Sequence, residues 1–242
     1  MLLGGKDNFQ ADREVAARLL EVYPPAREAI VQNRKFLIRA VEYLAREAGV
    51  RRFLDIGAGL PTRDNVHEVA RRNAPGSQTV YVDNDPVVLA HARALLAGGD
   101  GVQVVEGDLR EPDGILKAAA VRRLLEPGEP VALLIVALLD FITADERPHA
   151  AVAALVDALP SGSHLVITHG VTDDAHARTQ RDAQAAYDNA TAGFRPRTRE
   201  EIGRFLDGLE VVPPGLVEVT AWRPDGEARP SPATSAAVAR KP

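Results

Sequence analysis

The sequence predicts an α/β fold, a mostly parallel sheet of seven strands with helices on both faces, preceded by a helical N-terminal portion. Two observations carry this reading. Short apolar runs alternate with helix-patterned runs along most of the chain, as strand–helix–strand crossovers require. Residues 131–137 are almost continuously apolar, as a central strand buried on both faces must be. A third observation concerns chemistry: acidic residues close three successive strands, the edge at which open parallel sheets bind ligands.

Taken in order, residues 12–22 form a helix stopped by Pro24 and Pro25. Residues 26–48 form a longer one, with Ile30, Phe36, Leu37, Val41 and Leu44 near a 3.6-residue period and Gly49 at its end. Strand one, 52–56, runs into Gly57-Ala58-Gly59. A helix over 65–73 follows, capped by Asp64 or Asn65. Strand two covers 79–83, and the helix over 86–97 carries Pro86 in its first turn. Strand three (102–106), a helix (115–125), strand four (131–137), a helix (147–159) and strand five (164–168) continue the alternation. Residues 174–191 and 199–206 are helical, and 209–212 and 216–222 form a hairpin-like pair around Pro213-Pro214-Gly215. Residues 224–242 are rich in Pro, Ala, Ser and Gly without an apolar period and read as a flexible tail. The organisation is therefore a lid and helical extension (1–50), the sheet domain (51–223) and the tail.

The 242 residues are 45% hydrophobic, enough for a core that needs neither disulfide nor metal. No cysteine is present, which excludes disulfides, thiolate metal sites and cysteine nucleophiles. The net charge of −5 comes from interspersed signs, without a basic stripe for nucleic acid or a polybasic amphipathic run for a membrane surface. The longest apolar stretch, 131–139, is too short to span a bilayer, and the first nine residues, MLLGGKDNF, lack the pattern of a signal peptide. The expectation is a cytoplasmic protein with a small-molecule partner.

The three strand ends define a ligand. Asp55-Ile56-Gly57-Ala58-Gly59 closes strand one; paired glycines allow a tight turn and close backbone approach, and a helix N-terminus follows. Asp83 ends strand two, where a carboxylate can accept both hydroxyls of a ribose, with Asn84 beside it. Gly107-Asp108-Leu109 follows strand three, offering an acceptor for an exocyclic amino group and a backbone N–H. Ala137 ends strand four at the same edge. Singly each signal also suits an ordinary turn. Together they outline a nucleoside with amino, ribose and charged ends.

A dinucleotide and S-adenosylmethionine both suit such a scaffold. The dinucleotide fingerprint requires a small third residue beneath the pyrophosphate, whereas this chain has Thr62, and Pro61 removes a donor. Asp55 would oppose a pyrophosphate but favour an ammonium or sulfonium. The methyl donor is preferred.

Asp55-Ile56-Gly57-Ala58-Gly59, Asp83 and Gly107-Asp108 match the first three motifs of class I methyltransferases. Over roughly 2–223 the chain resembles an actinobacterial S-adenosyl methyltransferase family long classed as a domain of unknown function. The segments that carry the resemblance include Gly4-Gly5-Lys6-Asp7-Asn8-Phe9, Asn33-Arg34-Lys35-Phe36-Leu37, Asp64-Asn65-Val66-His67-Glu68 and Leu159-Pro160-Ser161-Gly162-Ser163. The resemblance implies the Rossmann-like class I fold and S-adenosylmethionine as donor, with S-adenosylhomocysteine as product; it names no acceptor. It also raises the reading of Asn8 and Phe9 as part of a lid over the donor. Relatives carry further residues ahead of the Gly-Gly-Lys-Asp-Asn segment, and His at the position of Asp140.

Methyl transfer needs alignment first and a base only if the nucleophile must lose a proton. Candidates beyond strands four and five are Asp140, His169 and Tyr187. For His169 a loop or capping role is the commoner alternative, and for Tyr187 a core position. His67 faces either the ligand or a structural neighbour. Asn33 and Arg34 are placed to support the lid or reach the donor's carboxylate; a solvated helix face is the plainer reading for Arg34. A protein that binds the donor or its product as a sensor is the alternative function.

Overall fold

A computed structural model describes residues 20–21, 26–61, 64–96, 101–172, 193–226 and 233–242. The predicted helices over 12–22 and 174–191, and with them Asn8, Phe9 and Tyr187, lie outside these residues or largely so.

Helix α1 (Ala26–Arg46) precedes the alternating unit β1 (Arg52–Ile56), α2 (Val66–Asn73), β2 (Gln78–Asp83), α3 (Pro86–Leu96) and β3 (Val102–Glu106). Two short helices, α4 (Pro112–Lys117) and α5 (Ala119–Leu125), lead to β4 (Val131–Ile135). Helix α6 (Pro148–Asp157), β5 (His164–Gly170) and α7 (Arg199–Gly203) follow, then β6 (Glu210–Val211), β7 (Val217–Glu218) and β8 (Thr234–Arg240). The predicted helix over 115–125 is two helices because Ala118 is extended, with ψ 132°. The predicted strand four stops at Ile135, since Ala137 turns into the left-handed region at φ 56°.

The sheet runs β3-β2-β1-β4-β5-β8-β6, with β7 also on β8. Five strands are parallel, β3 through β5, and β8 is antiparallel to β5, so the sheet is mixed. From β1 the chain winds outward to β3, then crosses back to place β4 on the other flank of β1. The carboxyl ends of β1 and β4 thus form the switch point where such sheets bind ligands.

Residues alternate between two cores. Leu54, Ile56, Leu133, Ile135, Leu165 and Ile167 face the α4–α7 side. Phe53, Tyr81, Leu134, Val166 and Val238 face α1 and α2. Helix α1 is fixed across this second layer by Arg39, whose Nε donates to the Trp222 carbonyl (3.0 Å) and whose Nη2 donates to that of Val219. Phe36 and Tyr43 meet the Trp222 ring edge-on.

The C-terminal segment corrects two expectations. Residues 234–240 are not a flexible tail; they form β8, which pairs with β5 from Gly170↔Thr234 to His164↔Arg240. Residues 209–212 and 216–222 do not pair with each other: both supply short strands to the far edge of β8. With these pieces the sheet has eight strands, not seven. Ala236, Ala237, Val238 and Ala239 are all fully buried. A strand covered on both faces needs no polar alternation, and small alanines suit close packing between helix layers.

Candidate active site

The three acids sit side by side because β1, β2 and β3 are adjacent and in parallel register, with Asp55 opposite Tyr81 and Asp83 opposite Glu106. Gly57 is required twice over. Its φ is 74°, and a Cβ there would lie 2.8 Å from Leu138 Cδ2. A side chain at Gly107 would likewise strike Val82 Cγ1 at 2.9 Å. Gly57 and Ala58 both donate to the Val82 carbonyl, at 2.8 and 3.2 Å, which folds the loop over the end of β2.

That loop locks Asp83. Its Oδ2 accepts from Gly59 N–H (2.9 Å) and its Oδ1 from Asp85 N–H (3.0 Å). Each carboxylate oxygen has a second lone pair, so the group is oriented yet keeps acceptor capacity.

Asp108 is held differently. Arg110 reaches both its oxygens through Nε and Nη2, Arg110 N–H donates to Oδ1, and Asn84 Nδ2 donates to Oδ2 (2.8 Å). The Arg110 guanidinium, aided by Asn84, holds the Asp108 carboxyl down at about 2. Arg110 also reaches Glu146 at 3.0 Å. A ligand amino group must therefore share or displace Arg110. Sequence reasoning missed this residue, although it stands two positions after the acid. Leu109 is buried beneath the turn.

Asp55 is the unusual member. It is buried at the end of β1. Burial pushes its carboxyl up to about 7, opposed by Arg34 and reinforced by Asp83. Because the folded value lies above the unfolded one, the fold favours the protonated form. The resulting penalty is absent below about pH 4, grows between pH 4 and 7, and is constant above. We expect Asp55→Asn to stabilise the ligand-free protein at pH 8 by up to about 4 kcal/mol, at about 1.4 kcal/mol per pKa unit, and to do little at pH 4. Thermal melts at the two pH values check this; equal shifts at both would exclude a buried carboxyl as the cause.

Beside Asp55, the Tyr81 hydroxyl accepts from the backbone N–H of His67 (3.0 Å) and lies 2.8 Å from its Nδ1. Burial lowers the His67 pKa and raises that of Tyr81, so both stay neutral. His67 is thus tied to a core neighbour.

The fourth and fifth strand ends are joined by their own network. Ala137, left-handed at φ 56°, donates its N–H to Thr168 Oγ1 (2.9 Å). His169 is fully buried, with Nε2 2.6 Å from Arg197 Nη1. A guanidinium only donates, so Nε2 must accept and Nδ1 carries the proton. Nδ1–H faces Asp140 Oδ1 (3.0 Å) and the Gly170 carbonyl (2.9 Å). Asp140 Oδ1 also accepts from Gly170 N–H (2.7 Å). His169 and Asp140 are therefore committed to each other and to the backbone. Both imidazole nitrogens are used inside the protein, which favours the structural alternative for His169.

Arg197, which nothing in the sequence singled out, is the hub of this network. It is buried and also donates to the carbonyls of Leu139 (2.8 Å) and Ile142 (2.7 Å). Arg197→Ala leaves these acceptors dry and unpaired. We expect a loss of about 3–5 kcal/mol, read as a lower urea midpoint with unchanged slope. A loss under about 1 kcal/mol would show that water replaces the guanidinium.

Switch-point loops, glycine turn and three strand-end acids are the parts of a class I methyltransferase. The chain belongs to the S-adenosyl methyltransferase family, whose model matches residues 1–242. A Thermobifida fusca YX protein of known crystal structure is 41% identical, with a TM-score of 0.93 over 99% of this chain and 91% of that one. A DUF574-family protein from Streptomyces avermitilis is 39% identical, with a TM-score of 0.93 over 100% and 94%. Human N-acetylserotonin methyltransferase, solved with S-adenosylmethionine, shares the fold at 14% identity, with a TM-score of 0.54 over 95% of this chain and 57% of that one. No protein of curated function matches. The protein is an S-adenosylmethionine-dependent methyltransferase.

The residues present fit that donor. Asp55 is a buried carboxylate, and Asp83 is an oriented carboxylate with acceptor capacity for a diol. No helix among the described residues is long and apolar enough to cross a membrane. No cluster of metal-ligating side chains occurs among them.

Proposed function

We propose that this protein methylates a small-molecule acceptor that enters beside the ends of β4 and β5. The observation that carries the donor half is Asp83, fixed by Gly59 N–H so that its remaining lone pairs can accept from ribose hydroxyls. Asp55, Gly57, Ala58 and Gly59 take the amino-acid end of the donor, and Asn84, Gly107, Asp108 and Leu109 the adenine end. Ala137, at the end of β4, borders the same donor site.

The donor supplies an electrophilic methyl group on a sulfonium, transferred by in-line displacement. The chain's part is alignment and exclusion of water, which supply much of the rate in such reactions. Asp55, raised by burial, is ready to ionise beside a cation. The Arg197 network holds the 139–142 segment against β5, fixing the wall on the acceptor side. With His169 and Asp140 engaged internally, they act as positioning residues.

A net charge of −5 and the absence of a basic stripe in the sequence favour a small acceptor over nucleic acid. Transfer of labelled methyl groups should therefore be detected with members of a small-molecule panel and not with RNA or DNA. Label in nucleic acid alone would reverse the acceptor class.

A further inference from the structure

Asp108 and Glu146 are two carboxylates joined by one arginine. Arg110 donates to Asp108 through its backbone N–H (2.9 Å) and through Nε and Nη2, and Asn84 Nδ2 adds a fourth donor at 2.8 Å. A carboxylate offers about four acceptor sites, so this one is full. The backbone N–H is fixed by the turn, in which Glu111 N–H donates to the Asp108 carbonyl (2.9 Å). The guanidinium is free to swing: the side chain is 44% exposed, and Nη1 already holds Glu146 Oε1 at 3.0 Å. Glu146 is placed to keep it. Its other oxygen accepts from Thr143 N–H (2.6 Å) and Thr143 Oγ1 (2.8 Å) at the turn Ala144–Glu146, in the connection between β4 and α6.

A ligand that donates an amino group to Asp108 must remove one of those donors, and Arg110 is the one that already holds a second carboxylate. Resting on the donor site proposed above, we infer that Arg110 is a built-in competitor for the 6-amino group of the adenine. Ligand binding moves its guanidinium from Asp108 to Glu146, and the competition lowers the affinity of donor and product together. The exchange leaves no charge without a partner: Asp108 gains the amino group, and the guanidinium keeps a carboxylate throughout. It also makes Glu146, and with it the turn before α6, sensitive to what occupies the adenine end. A site that holds its product less tightly turns over faster wherever release is the slow step.

The experiment titrates the full chain calorimetrically with S-adenosylhomocysteine and with its purine-riboside analogue, which has hydrogen in place of the 6-amino group. Wild type, Arg110→Met, Glu146→Gln and the double variant are compared. Arg110→Met should bind S-adenosylhomocysteine about 3- to 10-fold more tightly, since a part-exposed ion pair no longer has to be broken, and bind the analogue within about twofold of wild type. Glu146→Gln removes the place to which the guanidinium moves. It should weaken S-adenosylhomocysteine about three- to fivefold, and have no such effect in the Arg110→Met background, because it acts through Arg110. Opposite signs from the two ends of one ion pair are not what a structural brace gives, whose loss weakens binding from either end. Unchanged or weaker S-adenosylhomocysteine binding in Arg110→Met would overturn the inference, and so would equal tightening of both ligands. A Glu146→Gln variant that binds like wild type would overturn the transfer to Glu146. A wild type that binds no S-adenosylhomocysteine overturns the donor site itself, which keeps the two failures distinct.

Discussion

Removing residues 233–242 should leave a chain that no longer folds cooperatively. β8 lies inside the sheet, paired with β5 over its whole length on one side and with β6 and β7 on the other. The β5 ladder alone spans seven residue pairs, at about 0.5–1.5 kcal/mol for each hydrogen bond formed. Its deletion also exposes the apolar surface of β5 that Ala237 and Ala239 cover. Lys241 goes with it, and Nζ of that residue donates to the carbonyls of Val156 (3.0 Å), Asp157 (2.9 Å) and Leu159 (2.8 Å), satisfying the C-terminal end of α6. Against a total stability of about 5–15 kcal/mol, this loss is not survivable. Circular dichroism melts check it: the truncated chain should show no sharp transition. Arg240→Ala, which removes only a surface pair with Glu210, should melt within a few degrees of wild type. A sharp transition in the truncated chain would mean that β8 is an accessory edge.

The second large effect concerns Asp83. On the proposed donor site, Asp83→Ala should weaken S-adenosylmethionine by roughly 100- to 10,000-fold, the loss expected if two ribose hydroxyls each give up a bond to a charged acceptor worth about 1.5–3 kcal/mol. The same change frees Gly59 N–H and Asp85 N–H, so the loop after β1 loses its tether as well. Gly59 is half-buried and Asp85 exposed, so we expect water to take the lost acceptor's place and the melting temperature to move little. Calorimetric titration with the donor and its product measures the first effect and a thermal melt the second. Affinity within about threefold of wild type would move the ribose elsewhere. A collapse of stability together with affinity would make Asp83 a structural tether before it is a ligand.

The Asp55→Asn variant bears on the same site from the other side. It should stabilise the free protein while weakening the donor, the trade expected where a binding group is strained by burial until its ligand arrives. Because the carboxyl sits near 7 without ligand, donor affinity should also fall as pH drops below that value, each bound cation then requiring a proton to leave.

What was legible in the sequence follows from local physics. The apolar runs placed β1 and β3 at their observed bounds, and β2 and α2 within a residue. The glycine turn and the three acids could be read because strand-end chemistry depends on short spacings. Position at the ligand edge follows from chain direction once the sheet is parallel. What only the tertiary structure decided depends on contacts distant in sequence. The Ala-rich 234–240 segment has weak strand propensity, and its place between β5 and β6 comes from burial on both faces. His169 stood in the sequence between a base and a capping residue, because its strand ends at the ligand edge; Arg197, 28 residues away, makes it a buried, doubly engaged ring. Arg110 fills Asp108, and Arg34 reaches the loop at Asp64, through side-chain directions that no spacing encodes. Periodicity determines which elements form and which way they run, because it reflects one element's own geometry. The partners of a buried charge are chosen by whichever groups the fold brings within hydrogen-bonding reach, and that is settled only when the layers pack.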